Sequence, residues 1–280
     1  MNMQTRASFK KEILAFLRTN KFLTIAIVMI GMAILAPMLY VGLESLLTAM
    51  NPIYEQMGMD ISGMTGMLGA STVFTGVFAG ITNLAQVGLI VYLLLINSFA
   101  GGEQKKRSVI IPSSSGLRNF SYIFPKFIVY PLAALLLALI GAFVSWGVSA
   151  AIYEVGDVSP VGVLLGGALA GVCLMFYVCC HLALGTATGK PGMSAAVCIS
   201  AALLLPDIFT FADPSLVYNP FTLSYLAGNV VQEGALRQFP PLDILMTVLI
   251  TLVIMVILYF VALFVQNAKK VDNSGNEIRL

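Results

Sequence analysis

Charge is what this sequence has least of. Asp, Glu, Lys and Arg make up 10% of its 280 residues, while 59% are hydrophobic. A soluble domain carries about a quarter charged residues and about half apolar ones. No water-soluble fold of this size hides that much apolar surface, so that class is excluded. The useful unit is then the apolar run of about 20 residues that crosses a bilayer.

Histidine is nearly missing too. The single one, His181, stands beside Cys179 and Cys180. Neighbouring helical residues point about 100° apart and do not readily chelate one ion. The trio therefore reads as small apolar cysteines next to a histidine bonded to a neighbouring helix or to interface water. All four cysteines (Cys173, Cys179, Cys180 and Cys198) lie in apolar stretches, which gives no disulfide framework. No acid, histidine and nucleophile converge, which argues against a membrane-embedded enzyme. A nucleotide-hydrolysing loop is missing as well. Gly185-Thr-Ala-Thr-Gly189-Lys190-Pro191 has one residue too few between its glycines and a proline where Ser or Thr would hold Mg²⁺. The basic residues fall in short blocks beside apolar runs, which excludes a nucleic-acid-binding surface. A cleavable signal peptide is not expected, because the first apolar run is too long and no small-residue cleavage site follows it.

What is present is a series of charge-free runs. They predict six spans: Phe22 to Leu43, a stretch within Val73 to Phe99, Phe127 to Ala151, Val161 to Leu184, Met193 to Leu205, and Ile244 to Val265. The fifth is short before Pro206-Asp207, so a kink or a broken, re-entrant continuation is expected there. The expected fold is an all-α membrane protein. Residues 1–21 form an interfacial amphipathic helix, 22–266 the six-span domain, and 267–280 a tail. Outer loops span 44–72 and 206–243, and a cytoplasmic loop spans 101–126.

Orientation follows from the basic residues. Residues 1–21, 101–126, 185–192 and 267–280 hold every Lys and Arg except Arg237. The positive-inside rule then puts both termini in the cytoplasm. The opposite side carries Glu44, Glu55, Asp60, Glu154, Asp157, Asp207, Asp213, Glu233 and Asp243. An odd number of spans would scramble this separation.

Three soluble segments stand out. Before the first span, Phe9, Ile13, Phe16 and Leu17 share one helical face, with Lys10, Lys11 and Arg18 elsewhere, as in a helix lying in the interface. The outer loop 44–72 is rich in Gly and Met and reads as a partly helical cap. In 207–243, breaker pairs flank an apolar stretch, Phe221 to Val231, that suits a short helix dipping into the outer leaflet.

Two patterns inside the spans carry information. Asn83, Gln86 and Asn97 fall within about 60° of one another on a helical wheel. They read either as a substrate path or as interhelical hydrogen bonds worth about 0.6 kcal/mol each. Small residues recur at four-residue spacing: Gly141, Ser145 and Ser149, then Gly162 with Gly166, and Gly167 with Gly171. That spacing lets helices approach closely, either in packing within the chain or in self-association of the whole subunit.

The loop from Gly101 to Lys126 begins Gly101-Gly102-Glu103-Gln104-Lys105-Lys106-Arg107-Ser108-Val109-Ile110-Ile111. It continues through Ser113-Ser114-Ser115-Gly116-Leu117-Arg118 to Pro125-Lys126. It resembles the first cytoplasmic loop of type-2 ABC exporter permeases. That loop reads Gly-Glu, basic and polar residues, Gly-Thr-Leu, an aliphatic run, Pro-x-Ser-Arg, and Lys at the head of the third span. Without a gap, Glu103 falls on the family glutamate, Ser108 on the threonine, Val109 on the leucine and Lys126 on the closing lysine. Arg107 stands where glycine is usual and Gly116 where proline is usual, and Pro112 interrupts the aliphatic run. The helix before the first span resembles that family's connecting helix. The Asn219-Pro220 segment resembles its outer re-entrant helices.

The resemblance implies a permease in the plasma membrane of a bacterial cell, with no nucleotide site of its own. It would export a peptide or amphipathic compound. Two permease subunits, identical or paralogous, would face each other in membrane lipid. A separate ATPase subunit would bind ATP and Mg and dock on each. Glu103, Lys105, Lys106, Arg107, Ser108 and Arg118 would meet that ATPase. The other reading is a stand-alone secondary transporter or channel. Such proteins place ionisable residues near the midplane, and here only His181 lies securely inside a span.

Overall fold

The computed structural model describes residues 3–56, 72–102, 118–153, 158–212, 218–232, 234–271 and 277–279. These residues are overwhelmingly helical. In order they form α1 (Met3–Arg18), α2 (Asn20–Gln56), α3 (Val73–Asn83), α4 (Leu89–Ile96), α5 (Asn119–Ile152), α6 (Pro160–Thr188), α7 (Pro191–Ala212), α8 (Leu223–Asn229) and α9 (Pro241–Ala268). Wide π turns at Leu84–Gly88 and Ser98–Gly102 join α3 to α4 and end the unit. A short antiparallel ladder, β1 (Lys269–Val271) with β2 (Glu277–Arg279), departs from the all-helical expectation at the tail.

Six stretches are long and apolar enough to cross a membrane: Asn20–Leu43, Val73–Gly102, Asn119–Ile152, Pro160–Thr188, Pro191–Phe209 and Pro241–Ala268. The six expected runs are therefore helices, but their limits move. The first continues through residues expected in the outer loop, to Gln56. The third begins at Asn119 rather than near Phe127 and runs through Pro125 and Pro131. The fifth is not interrupted at Pro206, and α7 continues to Ala212. A proline inside a helix costs about 3 kcal/mol. An apolar solvent offers a broken backbone no water, so the continuous helix remains the better solution.

Helix ends follow local chemistry. Thr72 and Thr75 form a reciprocal cap at the start of α3, with Thr75 N–H to Thr72 Oγ1 at 3.2 Å and Thr72 N–H to Thr75 Oγ1 at 2.8 Å. Ser159 caps α6 ahead of Pro160, and Gly189 closes it in the left-handed conformation with φ 65°. The Gly185–Gly189 segment is thus a helix end joined by one residue, Lys190, to α7.

Burial separates a centre from a rim. In α6, 67% of the spanning window is buried, against 17% in α9. Three rows of small residues, one on α5 and two on α6, explain how the central helices come so close. On α5, Gly141 faces Leu84, Ser145 faces Gly80 and Ser149 faces Gly76. Each step of four along α5 meets a step of four backwards along α3 and the first residue of the π turn, an antiparallel zipper. On α6, Gly167 and Gly171 take the Leu135, Leu139 and Ala142 surface of α5. Gly162 and Gly166 instead face the backbone carbonyls of Val230, Val231 and Ala227, at the end of α8. The spacing read as close packing is close packing within this chain.

The short helix expected between Phe221 and Val231 is α8. Asn219 Oδ1 accepts from the Phe221 N–H at 3.0 Å, and Pro220 opens a 3₁₀ turn that leads into it. Leu223, Leu226 and Ala227 are buried against α3 and α6.

Candidate functional site

The predicted coupling residues Glu103, Lys105, Lys106, Arg107 and Ser108 lie outside the described residues. Arg118, the last of that set, is exposed and precedes α5 as its N-cap with extended backbone. Both roots of the loop are described, and they meet in one buried junction.

The outgoing root is the π turn at Ser98–Gly102. Ala100 leaves helical geometry with φ −89° and ψ 55°, and Gly101 takes φ 96° and ψ −6°. Only glycine adopts that φ cheaply. There is also no room for a side chain. A Cβ on Gly101 would collide with the Gly185 carbonyl, and one on Gly185 with the Ala100 carbonyl. The turn is thereby pressed into α6.

A helix end leaves carbonyls without partners. Here a cation from the incoming root serves one of them. Lys126 on α5 is buried, with 4% exposure, and its Nζ donates to the Phe99 carbonyl at 3.1 Å. The same Nζ lies 3.2 Å from Tyr122 Oη and 4.4 Å from the centre of that ring. Lys21, at the start of α2, donates to Ser98 Oγ and stands 4.5 Å over the Phe99 ring. Phe99 in turn stacks on Tyr130 at 4.8 Å.

Helix α1 closes the junction from the other side. Tyr130 Oη donates to Glu12 Oε2 at 2.6 Å, and Tyr92 Oη donates to the Tyr130 carbonyl at 2.6 Å. Thr5 and Ser121 hydroxyls meet at 3.0 Å. Glu12 is 1% exposed and is also 3.4 Å from Lys11. Phe16, from the apolar face read in the sequence, is buried among Phe22, Tyr92 and Tyr130. A buried charge needs compensating partners; Glu12 has Tyr130 Oη and Lys11, and Lys126 has the Phe99 carbonyl and Tyr122. The arrangement ties α1, α2, the π turn and α5 into one polar knot at the base of the loop.

The remaining predicted residues, Asn83, Gln86 and Asn97, lie before, within and after the π turn of the second span. Asn83 turns its amide back to the Ala79 carbonyl at 2.9 Å, and Gln86 is exposed. Asn97 is half-buried, and among the described residues its Oδ1 is enclosed with no partner. A wheel at 100° per residue assumes one helical period throughout. The π turn at Leu84–Gly88 widens that period, so Asn97 is rotated away from the position the wheel assigns it. His181 Nδ1 lies 2.8 Å from Ser194 Oγ, which joins α6 to α7. That is the neighbouring-helix bond expected of it.

Glu12 and Tyr130 were not singled out from the sequence. Glu12 stands among Lys10, Lys11 and Arg18 and looks like part of a solvated basic flank. Its position on the face of Thr5 and Phe16, at spacings of seven and four, was the available signal. No protein-family model matches the chain, and no curated protein or solved structure matches it significantly.

Proposed function

We propose that this chain is the membrane-spanning permease subunit of a type-2 ABC exporter. It moves a peptide or amphipathic compound out of the cell on energy from a separate ATPase subunit. Both termini and the loop 101–126 face the cytoplasm, and α1 lies at the cytoplasmic membrane surface. Two such subunits form the path. The observation that carries the reading is the buried junction in which Lys126 bonds the Phe99 carbonyl. A loop anchored in this way can pass force from a docked partner to the spans it joins. The loop's resemblance in order and register, the distribution of basic residues and the absence of a nucleotide-binding motif in the sequence support the same assignment. ATP binding to the partner pair shifts the spans between two packings by favouring one of them.

Charge reversal tests it. Glu103→Lys with Arg107→Glu leaves membrane insertion intact and abolishes co-purification of the ATPase. Retention of the complex by that variant refutes the coupling role of the loop.

A further inference from the structure

A groove of about 420 Å³ runs between α1, the start of α2 and α5. All of its lining side chains are apolar, among them Phe9, Ile13 and Leu17 from the first helix and Leu132, Leu136 and Ile140 from α5. From Ile128 to Ile140 it follows α5 for about 18 Å at 1.5 Å per residue. Thr5 meets Ser121 while Glu12 meets Tyr130, so α1 advances alongside α5 in the same direction. The apolar end of the groove is therefore the end deeper along α5. Helical spacing sets two cations beyond its other end, outside the apolar lining. Arg6, Lys10, Ile13 and Leu17 follow one helical stripe, at steps of four, three and four, and Arg6 and Lys10 are exposed. A long apolar trough with two cations at its shallow end matches a molecule with a chain and an anionic head.

We propose that this groove binds one anionic membrane phospholipid, its acyl chain between α1 and α5 and its phosphate at Arg6 and Lys10. The inference rests on the reading that α1 lies at the cytoplasmic surface. The bound lipid then forms part of the packing between α1 and α5, the two helices that meet at the base of the loop.

Native mass spectrometry of the full chain is the test, with phosphatidylglycerol and phosphatidylcholine of identical acyl chains as probes. No ATPase is needed, so failure here leaves the exporter assignment to its own experiment. The chain retains one phosphatidylglycerol about thirtyfold in preference to phosphatidylcholine, the factor expected for two basic side chains at an anionic surface. Arg6→Gln with Lys10→Gln removes the preference and keeps total lipid retention. Ala133→Phe fills the groove and lowers retention of both lipids. Leu136→Gln, which makes the groove polar without adding bulk, also lowers retention of both lipids. Equal retention by the native chain overturns the proposal, as does retention insensitive to both groove variants. So does loss of lipid binding on dimerisation, which would give the groove to a second copy of the chain.

Discussion

Replacing Lys126 with methionine probes the junction directly. Methionine keeps most of the apolar stem and removes the ammonium. The Phe99 carbonyl then loses its donor at 3.1 Å, and Tyr122 loses that ammonium both as a hydrogen-bond partner and as the nearer cation on its ring, with Lys11 remaining at 5.9 Å. A buried carbonyl left without a partner costs about 1–3 kcal/mol. The lost cation–π contact adds about 0.5–1 kcal/mol. Relief of the ammonium's own desolvation works in the other direction, by roughly what its two bonds returned. The net expectation is a loss of about 2 kcal/mol. Titration with SDS in mixed micelles, followed by helical circular dichroism, measures it. A double-mutant cycle with Tyr122→Phe isolates the pair. Hydrogen exchange should also accelerate in the turn at Ser98–Gly102. If Lys126→Met is as stable as the native chain and exchange is unchanged, the ammonium does not hold the loop's base, and the reasoning fails.

Two further outcomes follow from particular contacts. Gly80→Ala places a Cβ 2.6 Å from Ser145 Cβ and should cost about 1–3 kcal/mol, Ser145→Gly should restore most of it, and Gly147→Ala, with nothing within 4 Å, should be neutral in the same SDS titration. Tyr218 donates to Asp243 at 2.9 Å, and that hydrogen bond, with the carboxylate's charge, raises the phenol above its ordinary value. Its contribution to stability is thus complete below the unfolded value of about 10 and is lost as pH rises through the higher folded value. Tyrosine ¹³C resonances, assigned with Tyr218→Phe, should show late ionisation that Asp243→Asn abolishes. Early ionisation in the native chain would contradict the contact.

The spans were legible because a bilayer imposes its thickness on sequence. Their ends were less so. Pro206 reads as a breaker by the rules of aqueous helices, yet it lies inside a continuous helix. The rows at Gly141, Ser145 and Ser149 announced close packing. They did not announce that Gly76 and Gly80 would be opposite them, because a spacing names a face and not its partner. The stripe of Asn83, Gln86 and Asn97 depended on a constant helical period that the π turn at Leu84–Gly88 removes. Lys126 was visible only through its place in the loop's register. Glu12 was hidden by its basic neighbours, since a charge in a charged run looks solvated until the helix packed against it is known.

The most direct test of the exporter assignment is capture of the native chain from its own membranes, followed by identification of what accompanies it. The account predicts a separate ABC-type ATPase in near-stoichiometric amount, and ATP hydrolysis by the reconstituted complex that rises with an exported substrate. A chain that purifies without an ATPase and moves its substrate in vesicles on an ion gradient alone would contradict it.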